Sequence, residues 1–203
     1  MISQDSKPRF PRSYKEGRLL RLLAGDLPGH WVEQASARQA RFVPVNGGPV
    51  IEVTERVDRR FLGHNEIAQF KVRASTSGAD SASLRIRHTG RMRRDGVKVI
   101  AEGSESVRAL ATAIEGDSPF VTAVLPLDFT RFEVRPESGQ WVAMVELMGA
   151  SFVSLALPPM RSYIRLHPDQ RAALVDSFAA LLNVIRQQGR GLRPSSPGTS
   201  DRP

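Results

Sequence analysis

From Arg131 to Gln187 the chain passes through a run of alternating segments and then into one long amphipathic segment, and this order restricts the fold more than any other feature. Phe132 and Val134 alternate with Arg131, Glu133 and Arg135, and Glu137-Ser138-Gly139-Gln140 turns the chain into Trp141–Met148. Further strands are expected at Ser151–Leu157 and Arg161–Leu166. Successive side chains of a strand point to opposite faces, so these segments need a sheet with one apolar face. Beyond them, Leu174, Val175, Phe178, Leu181, Leu182 and Ile185 recur at helical spacing after His167 and Pro168, a helix-start pair. A sheet with an apolar face followed at once by a helix with an apolar stripe is an α+β unit, the one burying the other.

Upstream the same order recurs. Gln69–Ala74 sets Phe70, Val72 and Ala74 against Lys71 and Arg73, and Ser83–His88 sets Leu84 and Ile86 against Arg85 and Arg87. Paired as a hairpin, these two would gather four cations into one patch, with Arg91, Arg93 and Arg94 in the next turn before a strand near 97–101. Ser104 is a helix cap with Glu105 in the first turn, and Val107, Leu110, Ala111 and Ile114 form the core stripe. Overlaying 69–75 on 131–137 matches Phe70 with Phe132, Val72 with Val134 and Arg73 with Arg135. This suggests tandem strand-strand-strand-strand-helix halves at about 50–117 and 128–187, with 117–128 as a linker.

Before the first half, Leu19, Leu20, Leu22 and Leu23 predict a short helix stopped by Gly25 and Pro28. His30–Val45 is ambiguous apart from a strand at 40–45, which ends at Asn46-Gly47-Gly48-Pro49. Beyond that turn, Ile51, Val53 and Val57 mark a half-buried strand. Residues 1–13 read as a disordered basic arm and 188–203 as a disordered Pro/Gly/Ser-rich tail, leaving 14–187 as a single α+β domain with helices packed on one face of an antiparallel sheet.

The absence of cysteine among the 203 residues removes disulfides and thiolate metal sites, and it suits a cytoplasmic protein. No uncharged apolar run reaches membrane-spanning length and the start has no signal-peptide core, so no membrane partner is expected. The net charge is +8, with a pI near 10.9. Its position matters more than its sum: residues 51–103 hold eleven Lys/Arg against seven Asp/Glu, whereas 119–186 hold six of each. No phosphate-binding glycine loop or nucleophile elbow occurs, and His30, His64, His88 and His167 show no metal-ligand spacing, so neither cofactor nor metal is expected. Glu133 and Glu146 could share a cleft as an acid/base pair, although salt bridges to strand arginines account for them more simply.

The strand Phe132-Glu133-Val134-Arg135, the turn glycine Gly139, the strand 142–148 and the strand-into-helix segment Tyr163–Gln170 together resemble the Whirly and positive-cofactor-four group of single-stranded-DNA-binding proteins. The likeness covers about sixty residues of the second half and fewer of the first. It departs from the group at Ser138-Gly139-Gln140, where a lysine-flanked glycine turn is usual. The Leu157-Pro158-Pro159-Met160 segment is similar to that of small uncharacterised proteobacterial proteins. The Whirly resemblance implies a non-catalytic protein, not an enzyme, that neutralises the phosphates of a single strand with a basic sheet face. Lys71, Arg73, Arg85, Arg87, Arg91, Arg93, Arg94, Arg131 and Arg135 would supply the charge, and Trp141 and Tyr163 rings for the bases. Two other readings stay open. One is a homo-oligomeric interaction module joined through 144–157 or a sheet edge, and the other is a small-ligand cavity between helix and sheet.

Overall fold

The structure, a computed structural model, describes residues 10–77, 82–90 and 94–191. It is an α+β fold of thirteen elements: α1 (Arg18–Asp26), β1 (His30–Ser36), β2 (Gln39–Pro44), β3 (Ile51–Arg60), β4 (Gly63–Ser77), β5 (Ser83–Thr89), β6 (Gly96–Glu102), α2 (Glu105–Gly116), α3 (Ser118–Val124), β7 (Phe129–Glu137), β8 (Gln140–Ala156), β9 (Pro159–Ile164) and α4 (Pro168–Gly191). The strands form one antiparallel sheet in the order β1-β2-β3-β4-β8-β7-β5-β6, and β9 lies beside the far half of β8.

The centre of this sheet is β8. Its two stretches, expected as separate strands, are one strand interrupted by an irregularity at 147–150. On β4 a single residue separates Ile67 from Gln69, whereas on β8 four residues separate Ser151 from Glu146. The extra length is taken up by Ala150 at φ 53 and by two short-range bonds: Met148 N–H to Asp128 O at 2.7 Å and Ser151 Oγ to Met148 O at 2.9 Å. Below this bulge the other edge of β8 holds β7, and above it the same edge holds β9. The 144–157 segment therefore lies in the middle of the sheet, with β4 along one edge and β7 and β9 along the other.

Two further expectations are corrected here. The 69–74 and 83–88 segments are not a hairpin, because β8 and β7 stand between β4 and β5. Beta pairing is a non-local choice, and the alternation of each strand is compatible with several neighbours. The matched pairs from 69–75 and 131–137 have a structural meaning nonetheless. Phe70 and Phe132 both pair with Val145, Val72 and Val134 with Ala143, and Arg73 and Arg135 with Val142. Thus β4 and β7 flank β8 in equivalent registers. The supposed linker also contains a helix, α3, whose start is capped by Asp117 accepting from the Phe120 N–H at 2.8 Å.

All four helices pack on the face that carries Phe70, Val72, Leu84, Ile86, Phe132, Val134 and Val145. Phe132 sits edge-on to Phe120 of α3 and Phe178 of α4, at centroid separations of 6.0 and 6.3 Å, so it joins the sheet to both helices. His88, on the same parity, is half-buried and has a partner: its Nε2 lies 3.2 Å from Val124 O.

Under α1 the interface is polar. Glu55, His64 and Glu66 are fully buried on the helix side of β3 and β4. Arg18 is ion-paired to Glu66 and lies 3.6 Å above the Phe152 ring, and His64 Nε2 is 3.2 Å from the Glu66 carboxylate. The Glu55 carboxylate accepts from the Gly17 N–H at 3.2 Å. Gly17 holds the start of the helix at φ 71, where a Cβ would stand 2.7 Å from Ala37 O. At the other end, buried Asp26 accepts from Tyr163 Oη (2.7 Å), Arg165 Nε (3.1 Å) and Leu166 N–H (2.9 Å). These bonds hold the Asp26 carboxyl below its ordinary value against the upward push of burial.

Three outcomes follow from this packing. Phe132→Ala should lose about 3–5 kcal/mol, because it removes a ring clasped by both helices, and a denaturant titration measures the loss. Asp26→Ala leaves the three donors without their acceptor and should cost several kcal/mol in the same titration. Glu55 behaves differently. Burial, helped by the charge of Glu66, pushes its carboxyl up to about 7 against the lowering by Tyr14, Gly17 and Arg38. The folded chain therefore binds this proton more tightly than the unfolded one, whose carboxyl titrates near ~4.3, and the stability it lends fades as pH rises toward 7. Glu55→Gln should melt several degrees above the native protein at pH 8, with the difference shrinking toward pH 5; parallel melting curves would refute the assignment.

Candidate functional site: the open sheet face

The helices cover one face of the sheet, and among the described residues no helix lies on the other. Strand registers place Glu52, Lys71, Met144, Glu133, Arg85 and Ile100 in one row across that open face, from β3 to β6. Adjacent rows carry Arg73 with Val142 and Arg135, and Gln69 with Glu146 and Arg131. Six of the expected site residues are thus gathered on one surface: Lys71, Arg73, Arg85, Arg87, Arg131 and Arg135. Alternation alone was enough to orient each of them, because the opposite parity in every case is apolar and buried.

The others stand elsewhere. Trp141 is buried on the helix side, and Tyr163 directs its hydroxyl to Asp26, so neither ring is offered to a base. Trp141 pairs with Pro136, one residue out of phase with the cationic row. Arg94 lies before β6, where it bonds Leu127 O at 3.0 Å and ion-pairs with Asp128, closing the α3–β7 connection. Arg91 and Arg93 fall outside the described residues.

The open face is a lattice of ion pairs rather than a row of free cations. Arg131 lies 2.6 Å and Arg85 3.8 Å from Glu133; Arg135 is 2.9 Å from Glu137, which Lys71 and Arg73 approach at 3.6 and 3.7 Å. Arg73 also meets Glu52 at 3.1 Å, and Arg56 meets Glu146 at 3.0 Å beside the Gln69 amide at 2.6 Å. Glu133 and Glu146 are therefore held by arginines, as the simpler reading had it. The Glu133 carboxyl is held below its ordinary value chiefly by the Arg131 hydrogen bond. Burial pushes Glu137 up, but Arg135, Lys71 and Arg73 outweigh it and the net direction is down. Both stay ionised at neutral pH. Among the described residues Arg87 has no carboxylate within ion-pair distance.

Depth within these pairs is uneven. The Arg85 side chain is 53% exposed above Glu133 at 17%, and Arg56 is 40% exposed above Glu146 at 5%. Arg131 over Glu133 and Arg135 over Glu137 follow the same order. Val142 and Met144 are buried on this face although no helix among the described residues covers it; Arg73 and Arg135 flank Val142 in the register and Lys71 flanks Met144, long side chains whose stems can shield apolar surface while their heads stay wet.

Where β8 bulges, the face becomes concave. A depression of about 1000 Å³ is lined on one side by Arg85, Arg87, Arg131 and Glu133, and on the other by Arg56, Ile67, Val153 and Ile164, with Met148 between. The ligand cavity expected between helix and sheet would lie on the opposite face from this depression.

Sequence reasoning missed three contributors to this surface. Arg56 was legible from the parity of Ile51, Val53 and Val57. Arg41 and Trp31 were hidden because β1 and β2 lack a clean alternation. Trp31 is 64% exposed and stands on the open-face side, paired with Val43. It is the exposed large aromatic that Trp141 was expected to be.

No helix among the described residues is long and apolar enough to cross a membrane. In comparisons with known proteins, no curated protein and no solved structure matches the chain. One family does match, described as a protein of unknown function (DUF3156), and the match runs over residues 25–185. It spans the sheet from β1 through β9 and most of α4, so this chain, with its ion-paired open face, belongs to the DUF3156 family.

Proposed function

We propose that the protein binds nucleic acid on its open sheet face, single strands in preference to duplex, without catalysing a reaction. The observation that carries this reading is the layering of charge: guanidinium heads ride above sunken carboxylates, so the outermost charge is positive although most pairs are locally neutral. A guanidinium presents five donors, and a carboxylate partner engages only one or two of them, so outward N–H groups remain for phosphate oxygens. Trp31 supplies a ring on which a base can stack. A single strand suits this surface because its bases are free to lie against a shallow face, whereas a duplex hides them.

The likeness to the Whirly and positive-cofactor-four group belongs to this proposal, as does a tandem origin of the two halves. Its support is that β4 and β7 occupy equivalent registers on either side of β8. A cytoplasmic location, in keeping with the cysteine-free composition, completes the reading. A second reading rests on the depression at the bulge, where Ile67, Met148 and Val153 beside Arg56 and Arg131 would suit a small amphipathic anion.

The test is fluorescence anisotropy of labelled single-stranded DNA, single-stranded RNA and duplex, titrated with the full chain between about 50 and 200 mM salt, a range over which phosphate-dominated binding falls steeply. Arg85→Glu/Arg131→Glu should weaken single-strand binding at least about tenfold and lower the salt slope by about 2. Trp31→Ala should cost about 1–3 kcal/mol of affinity. Binding that survives both changes would assign it to the basic termini, and failure of the native protein to bind would overturn the proposal.

A further inference from the structure

We infer that the free edge of β1 is a pairing site for a second copy of this chain, joined strand to strand with Val32 on the two-fold axis. The inference rests on the backbone groups of β1 and not on what the open face binds, although the two share Trp31, which a second copy would stand beside.

The main path of the sheet ends at β1 and β6, and β9, which among the described residues pairs only with β8 and begins at Pro159, is a third and shorter edge; the three are finished differently. On β6 the outward N–H of Val99 is already taken, donated to Glu115 Oε1 of α2 at 2.6 Å, and Lys98 lies 3.3 Å from the same carboxylate. A side chain inserted into the ladder in this way blocks an incoming strand. Strand β1, His-Trp-Val-Glu-Gln-Ala-Ser, contains neither proline nor lysine, and it is exposed along almost its whole length.

The direction of its backbone groups follows from two bonds. Val45 N–H donates to Gly29 O at 2.9 Å, so residues 29, 31 and 33 exchange bonds with 45, 43 and 41. Glu55 N–H donates to Arg38 O at 2.8 Å, so Ala40 and Phe42 turn their groups the other way, toward β3. The N–H and C=O groups of His30, Val32 and Gln34 therefore point outward, where no strand among the described residues meets them.

That ladder is self-complementary. With Val32 opposite Val32 of a second copy, His30 and Gln34 exchange backbone bonds across the axis, and three outward residues on each side are satisfied together. Trp31 then stands across from Glu33 of the second copy, whose partner Arg41 lies 2.9 Å away, so the exposed indole meets a charged pair rather than water. Centring the pairing on Glu33 would instead set two carboxylates directly opposite each other. Val32, 40% exposed, packs against itself on the other face. Because the two-fold axis stands perpendicular to the sheet, the open faces of both copies lie on the same side and form one continuous arginine-bearing surface.

The chain has no cysteine, so a single introduced thiol reports the geometry cleanly. Residues opposed in a hydrogen-bonded antiparallel pair have Cα atoms about 5.5 Å apart, within the range a disulfide spans. Val32→Cys should give a covalent dimer under mild oxidation, reversed by reductant, while Ile100→Cys on β6 should not. Light scattering across a concentration series should show the native chain in a monomer–dimer equilibrium. Val32→Pro, which removes only an outward N–H, should be monomeric with unchanged circular dichroism and melting temperature. A native chain that stays monomeric, together with a Val32→Cys thiol that cross-links no faster than the one at position 100, would overturn the inference. So would a folded Val32→Pro variant that dimerises like the native chain.

Discussion

Strand β8 is the member on which the rest of the molecule depends, because among the described residues it alone is bonded to three other strands. It meets β4 along one edge, and its other edge is divided between β7 and β9. That division is made possible by the 147–150 bulge, which changes the parity of the strand: Val142, Met144 and Glu146 face the open side before it, and Ser151 and Val153 after it. A bulge bends and twists the strand that carries it. Here the bend hollows the uncovered face and lets one continuous strand serve two differently oriented pairings. The close approach of Gly63 to β8 belongs to the same arrangement, since a Cβ there would run into Ser154 O.

A wide sheet with helices on one side only must keep its other side in water without exposing the apolar residues of its central strand. The chain meets this requirement with long cationic side chains on β3, β4, β5 and β7 lying over Val142 and Met144, each steered by a carboxylate on a neighbouring strand. Exposed ion pairs contribute little to stability one at a time. Their larger effect is positional, because each glutamate fixes the stem of an arginine across apolar surface and leaves the head outward. The structural role and the proposed binding role thus draw on the same geometry, and the surface is cationic in its outer layer while nearly balanced in its sum.

The polar cluster beneath α1 shows a different use of charge. Glu55, Glu66 and His64 lie on the core parity of β3 and β4, where the alternation calls for apolar residues, and they hold the start of α1 through Arg18 and the Gly17 N–H. Asp26 holds its far end to β9 and to the entry of α4. Burying such groups is tolerable only where each has a partner, and it fixes the helix in one position where an apolar interface would permit sliding. His64, one of four histidines without metal-ligand spacing in the sequence, is a buried member of this cluster.

The sequence by itself determined the local structure. Alternating parity assigned a face to Lys71, Arg73, Arg85, Arg87, Arg131 and Arg135, helical spacing located α1, α2 and α4, and Gly139 and Gly47-Gly48 marked turns. These signals were legible because each depends only on residues a few positions apart. Tertiary structure alone decided that β8 and β7 would separate β4 from β5, that Trp141 would be buried while Trp31 stood exposed, and that nearly every cation on the open face would have a carboxylate beneath it. Strand neighbours are selected by the burial of whole faces and by backbone pairing between residues up to about ninety positions apart, as Gly63 and Leu155 are. No periodicity within a segment records that choice.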